Sequence, residues 1–494
     1  MTLALILALV VALYWRTLDY NYVIDDNVKR DGYMYEVPFE GPPPSLWKSK
    51  PPKLYRLFMI GMHCVNVSVI YLLWGWAPAL LFAVHPLGVW GTAWVTGNYY
   101  ATTAYFCLIA YYILHVFPNI YGALAAMALF TAALNSTVCC ISFPFLFFFI
   151  GTPWGLTLLF PLAMYLRGRR FRTGIATRLS FNKNKPVDAK FTWRRLLVMT
   201  KVVARYIHVC LMPERLGFFR LFGSELHTNQ KRYDWAHKVN TEFWMSLGVC
   251  LSLFIGGLYI NPVGTLWFFG IMLLHSQWNL TGQFFAERYA YLPLVGLCVV
   301  AGTMLQHYPI AMAAVVTYLV YRTHKFIPAW ENQEAVWRND LESFPENPQV
   351  HGNLGQWYMN NSDKTQELKA YQVNEIAMLL QKAHSMCPTQ WEASMNMACF
   401  SVMIGRIEEG LDFTHKAYDL LEPIAGGSGQ HALNKLRDQI ERLEGVIKEK
   451  QGRIGADKES PSLTLPAGNS AEQNKEKEND KNKTESSKEV TQPA

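Results

Sequence analysis

No two of the nine cysteines stand in a C-x-x-C pair, which removes zinc-site and thioredoxin-like readings. Most of them lie within apolar runs, where cysteine behaves as a small hydrophobe. The adjacent Cys139 and Cys140 are read as packing, and no metal site is expected. A basic stripe interleaved with aromatics is also missing, so the formal charge of +7 points to a membrane surface and not to nucleic acid. The first apolar run, 2–15, lacks a basic leader. Trp15-Arg16 follows it where a small-residue cleavage site would stand, so this run is expected to be a retained anchor. The two halves of the chain show no symmetry of the kind that inverted-repeat transporters display. Residues 450–494 have almost no bulky apolar side chains and are rich in Lys, Glu, Asn and Ser; they are expected to be disordered.

What the chain does have is apolar surface. Of its 494 residues 51% are hydrophobic, with 16 Trp, 28 Phe and 25 Tyr, and these crowd into residues 1–325. Mostly apolar runs cover 2–15, 54–74, 77–95, 101–117, 119–134, 138–150, 152–166, 243–260, 263–279, 291–305 and 309–321. Merged where they are short, they predict an all-α polytopic membrane bundle of about 10–12 spans. A polar loop, 16–53, ends in Pro42-Pro43-Pro44 and Pro51-Pro52, which excludes regular helix there. A second long connection, 167–242, contains one amphipathic segment. Residues 331–425 read as soluble and helical.

This soluble part carries a repeat. Val350-His351-Gly352-Asn353-Leu354-Gly355-Gln356-Trp357-Tyr358 resembles the tetratricopeptide (TPR) pattern, in which Leu-Gly and a nearby aromatic pack one helix on the next. A second copy runs from Trp391 through Met397-Ala398 and Gly405 to Ala417 and Pro423. The offset exceeds the usual spacing of about 34 residues, so an insertion near Asp363–Tyr371 is expected. So short a solenoid should lean on the membrane domain. A plain helical-hairpin bundle is the simpler alternative.

Four segments could carry chemistry. Asp25 and Asp26 directly follow the first apolar segment. Two carboxylates at a membrane surface cost desolvation energy unless water, a cation or a reacting group compensates them. They suit a general base or, more plainly, a solvated loop. His85, before Pro86, places an imidazole near the membrane boundary, yet a lone His is more often structural. Glu287-Arg288 between two spans suits a charged ligand, because an Arg fork can donate two bonds to phosphate; an internal ion pair is the alternative. Arg205 and His208 lie in an interfacial-helix pattern downstream of the basic run from Arg167 to Arg172.

Taken in order, these segments resemble the GT-C class of polytopic glycosyltransferases, above all the transmembrane and TPR-containing O-mannosyltransferases and their bacterial relatives. The resemblance covers most of residues 1–420. Its most specific part is Glu287-Arg288-Tyr289-Ala290-Tyr291-Leu292-Pro293 ahead of the repeats. It implies transfer of a sugar from a polyprenyl-phosphate carrier on the extracytoplasmic face, with inversion and without a metal or further cofactor. Asp25 or Asp26 would be the base. Glu287, Arg288, Tyr291, Arg205, His208 and His85 would meet the carrier phosphate or sugar, and the repeats would meet a protein acceptor. The host would be a bacterial inner membrane or the endoplasmic reticulum, with the repeats outside the cytoplasm. Where the family commonly has Gly-Arg-x-Asp, this chain has Gly97-Asn98-Tyr99-Tyr100. Where the family tends to Ser-Lys-Glu, it has Ser136-Thr137-Val138. A catalytically inactive scaffold that docks partners through its repeats is therefore the alternative function. The same span count puts the basic 167–205 stretch outside, against the positive-inside tendency.

Overall fold

The computed structural model describes residues 2–24, 52–136, 140–150, 153–167, 194–218, 238–273, 285–361, 370–423, 425 and 428–458. Asp25, Asp26, Thr137, Val138 and most of the two long connections lie outside these residues, as does most of the expected insertion near Asp363. Within them the chain is all-helical. In chain order the helices are α1 (Leu3–Tyr14), α2 (Pro52–Trp74), α3 (Trp76–Val84), α4 (Asn98–Val116), α5 (Ile120–Ser136), α6 (Leu146–Ile150), α7 (Leu159–Arg167), α8 (Arg194–Leu211) and α9 (Thr241–Ile260). They continue with α10 (Pro262–Leu273), α11 (Tyr291–Leu305), α12 (Pro309–Phe326), α13 (Gln333–Ser343), α14 (Pro348–Asn361), α15 (Ala370–Met386), α16 (Trp391–Met403), α17 (Ile407–Leu421) and α18 (Ser428–Lys458).

Among the described residues three helical stretches are long and apolar enough to cross a membrane: α2, α9 and Glu287–Leu305, which contains α11. At about 1.5 Å per residue, the 23 residues of α2 exceed the hydrocarbon thickness of about 30 Å. Its faces are arranged for lipid. Arg56, Met59, Ile60, His63, Asn66, Val67 and Ile70, spaced at three and four residues, are buried, while Leu57, Phe58, Val65 and Leu72 are exposed. Polar groups inside and apolar groups outside is the pattern for a helix in a bilayer. Several other apolar runs do not form one long helix. The run 77–95 folds as α3, nine residues long, and then a 3-10 turn from Pro86 to Gly91. Proline cannot donate to the helix ladder and pushes the residue before it out of helical geometry. Pro144 and Pro153 likewise sit in 3-10 turns within the runs 138–150 and 152–166.

At the centre, α3 and α11 are buried over most of their length. Gly75, at φ +88°, turns the chain from α2 into α3, a conformation costly for other residues. Gly264 and Gly296 let the backbones of α10 and α11 meet: a methyl on Gly296 would stand 2.3 Å from the Gly264 carbonyl oxygen. Small residues at such crossings are how membrane helices approach closely.

The chain divides into two compact units, residues 1–444 and 445–494. The first holds both the apolar bundle and the helices α13–α17. In α14 the sequence Leu354-Gly355 admits Leu380 of α15, and Gly410 of α17 admits Val402 of α16. Leu354, Leu380, Met397, Ala398 and Ala417 are buried. In the second unit the described residues are helical as far as Lys458. The disorder expected from residue 450 is thus not found over 450–458, because Lys, Glu, Gln and Arg are good helix formers.

Candidate functional site

A cavity of about 510 Å³ lies between the apolar bundle and the helices α13 and α14, lined by Ile24, Phe218, Arg288, Gln333, Trp337, Gln349, Asn353, Gln356, Trp357 and Asn360. Two chain segments give it a polar end. Glu287–Ala290 is a 3-10 turn at the head of α11, which projects Arg288 toward the aromatic rings of Trp94, Phe218 and Tyr289, 5.8, 5.2 and 5.3 Å from its guanidinium carbon. The rings surround the guanidinium, a planar cation whose fork of donors suits an anion. Opposite, Ile24 donates its backbone N–H to Oε1 of Gln333. Ile24 has φ +52°, a left-handed conformation strained for a β-branched residue. The strain falls on the residue directly before Asp25 in the chain.

Glu287 is not the visible partner of Arg288. Its Oε2 accepts the Gly217 N–H at 3.2 Å, while Oδ1 of Asp340, on α13, accepts the Phe218 N–H at 2.8 Å. Asn339 Nδ2 donates to the Leu216 carbonyl at 2.8 Å. The strap Leu216–Phe218 is thereby held from α11 on one side and α13 on the other. Behind it, Trp90, Trp94, Phe326 and Trp330 close an aromatic cluster, with Trp90 and Trp330 centroids 4.8 Å apart. Helix α13 therefore packs on the apolar bundle through buried surface.

Of the other residues expected at the site, His85 is buried. Its Nε2–H donates to the Cys210 carbonyl at 2.8 Å, and its Nδ1 accepts the Leu87 N–H at 3.1 Å. With both nitrogens bonded, it is a structural cap of the turn at Pro86. Arg205 is paired with Glu242 of α9, and His208 is exposed; neither lines the cavity. Tyr291 lies deeper, in a polar chain inside the bundle. Asn66 Nδ2, which can only donate, lies 3.3 Å from the Tyr291 hydroxyl, and that hydroxyl lies 2.7 Å from His63 Nδ1. Which of the tyrosine and the imidazole donates is set by the His63 tautomer. Arg56 is buried as well, and its guanidinium donates to the Tyr20, Asn21 and Ala93 carbonyls. It anchors the segment that leads to Ile24. Among the described residues no cluster of His, Cys, Asp and Glu is fit for a metal ion.

The sequence reading missed the amides. Gln349, Asn353, Gln356 and Asn360 recur at helical spacing, a signal visible in the sequence once charge is no longer the search criterion. It also missed Arg56, His63 and Asn66, which alternate with apolar residues on the inner face of α2. Among the described residues expected at the site, only Arg288 lines the cavity.

His351, on the same helix as the amides, carries a pH consequence. Its Nε2–H donates to the Pro345 carbonyl at 2.8 Å, and burial, aided by Lys382, holds its pKa below the ordinary 6.5. The unfolded chain takes up a proton near that value when the folded chain does not. Stability is therefore unaffected above it and falls as the pH drops below it. Thermal unfolding of wild type and His351→Gln at about pH 7.5 and 5.5 checks this. The variant should lose less stability on acidification than wild type; equal losses would refute the assignment.

Among the described residues the protein is all-helical, with three helices long and apolar enough to cross a membrane. Comparison with protein-family models, with curated proteins and with solved structures gives no match.

Proposed function

We propose that the protein is a GT-C-like membrane glycosyltransferase with a short TPR solenoid. It moves a sugar, mannose being the family's precedent, from a polyprenyl-phosphate carrier to a protein or glycan hydroxyl. The observation that carries this reading is the cavity, where Arg288 and a row of amides meet beside Ile24, the residue preceding Asp25 and Asp26. In the proposed step one of these carboxylates takes the proton of the acceptor hydroxyl as its oxygen attacks the anomeric carbon from the face opposite the phosphate. The bond from that carbon to the phosphate oxygen breaks, the phosphate leaves with the electron pair, and the configuration inverts. Arg288 donates to the departing phosphate. Phosphate is a good leaving group, so a base, one cation and exclusion of water are what the protein must supply.

Asp25→Asn and Asp26→Asn test it in membranes supplied with polyprenyl-linked sugars. One of the two should lower transfer by about 100- to 10,000-fold, the range of a general base. Transfer undiminished in both rejects the reading.

One observation favours a second reading, a catalytically inactive scaffold that docks partners. Tyr100, where the resembling enzymes place charge, is buried, and its hydroxyl lies 3.0 Å from the hydroxyl of its neighbour Tyr99. In that case wild type also transfers nothing, while partner capture persists.

A further inference from the structure

The neutral amides of α14 are more numerous than sugar transfer requires. Gln349, Asn353, Gln356 and Asn360 follow at steps of four, three and four residues, which puts them on one helix face, and all four line the cavity. The first two are half-buried and the last two exposed. None of these side chains has a hydrogen bond to another described residue.

Their spacing suits one kind of occupant. At about 1.5 Å of rise per residue the row is about 16 Å long, with steps of about 6, 4.5 and 6 Å. An extended polypeptide advances about 6.6 Å every two residues, so the two outer pairs nearly match its repeat and the row spans about five residues. Each side chain offers an acceptor oxygen and an NH2 donor, the complement of the C=O and N–H that an extended backbone presents along one edge. A single sugar ring reaches only one or two of them. The chain's own backbone already binds in this way at the cavity wall. Ile24 N–H is held by the side-chain amide of Gln333, and three residues upstream Asn21 N–H donates to the Glu331 carbonyl at 3.0 Å.

We infer that the cavity takes an extended polypeptide, read through its main chain by Gln349, Asn353, Gln356 and Asn360. Trp337 and Trp357 flank its side chains. Because the row pairs with the main chain, recognition through it is largely independent of the peptide's side chains. The inference rests on the transfer reading only in making this polypeptide the acceptor; binding itself needs no donor.

The test uses the full chain in lipid nanodiscs and a fluorescent peptide of about ten alternating Ser and Ala residues, long enough to cover the row. The same peptide N-methylated at alternate backbone nitrogens and a linear mannotetraose serve as competitors, read by anisotropy. The peptide should bind, and Asn353→Ala with Gln349→Ala should weaken it by about tenfold or more, the effect of two neutral hydrogen bonds. Gln356→Ala with Asn360→Ala, at exposed positions that tolerate alanine, should do the same. The methylated peptide and the tetrasaccharide should compete poorly. Absence of peptide binding, affinity unchanged in both double variants, or equal competition by the methylated peptide or the sugar overturns the inference. A protein that binds as expected but transfers no sugar keeps this inference and defeats the enzyme reading. A transferase indifferent to N-methylation does the reverse.

Discussion

Arg288→Gln should reduce sugar transfer by about 100- to 1,000-fold, the usual loss when a preorganised group facing developing charge is removed. The three rings around Arg288 leave it little freedom, so its donors need no reorganisation when negative charge grows on a departing phosphate. The loss should appear in kcat more than in KM, because the ground-state carrier is held by its lipid as well. Arg288→Lys keeps the charge but not the planar fork and should fall between the two. Initial rates with a purified polyprenyl-phosphate sugar, on protein that elutes like wild type, decide the matter. A Gln variant within twofold of wild type would remove Arg288 from the chemistry.

Gly296→Val should disrupt the bundle itself. A methyl there would approach the Gly264 carbonyl oxygen at 2.3 Å and the Phe268 backbone nitrogen at 2.6 Å. Both are backbone atoms and cannot swing aside, so α10 and α11 must separate. Overpacking costs about 1–3 kcal/mol where side chains can adjust, and rigid neighbours put this case at or above that range. Separation would also stretch the bond from Trp267 Nε1–H to the Leu292 carbonyl, now 2.9 Å. Gly256→Val on α9 is the control, since a methyl at that glycine has no neighbour within 4 Å. Thermal melting in detergent should drop by about 5 °C or more for the first and hardly at all for the second. Equal melting of the two would mean that the close crossing does not bear on stability.

The all-helical class and the membrane character were legible because apolar runs need no partner information to be recognised. Span lengths were less so. A hydropathy run does not report where Pro86, Pro144 or Pro153 converts helix into 3-10 turn, nor which runs the fold keeps as short central helices. His85 looked chemical by position, but its two hydrogen bonds come from Leu87 and from Cys210, 125 residues away, and no local pattern announces a distant carbonyl. Arg205 illustrates the same limit, because its partner Glu242 belongs to another helix. Arg288 was legible as a cation between spans, whereas its ring contacts were not. The amide row could have been read from spacing alone. It was passed over because neutral amides carry none of the charge that marks a catalytic candidate.

The strap Leu216–Phe218 bears on how the protein can be divided. Its consecutive amides are gripped by Glu287 and Asp340, which lie on opposite sides of any boundary drawn near residue 330. A fragment ending there would lose the carboxylate that receives the Phe218 N–H and uncover the Trp90–Trp330 contact. Its complement would carry Asp340 and Trp337 without their cover. Neither piece is then a self-sufficient module, and expression of α13–α17 alone should yield a sticky, poorly soluble product. Any engineered swap of α13–α17 has to carry residues 213–218 along with them.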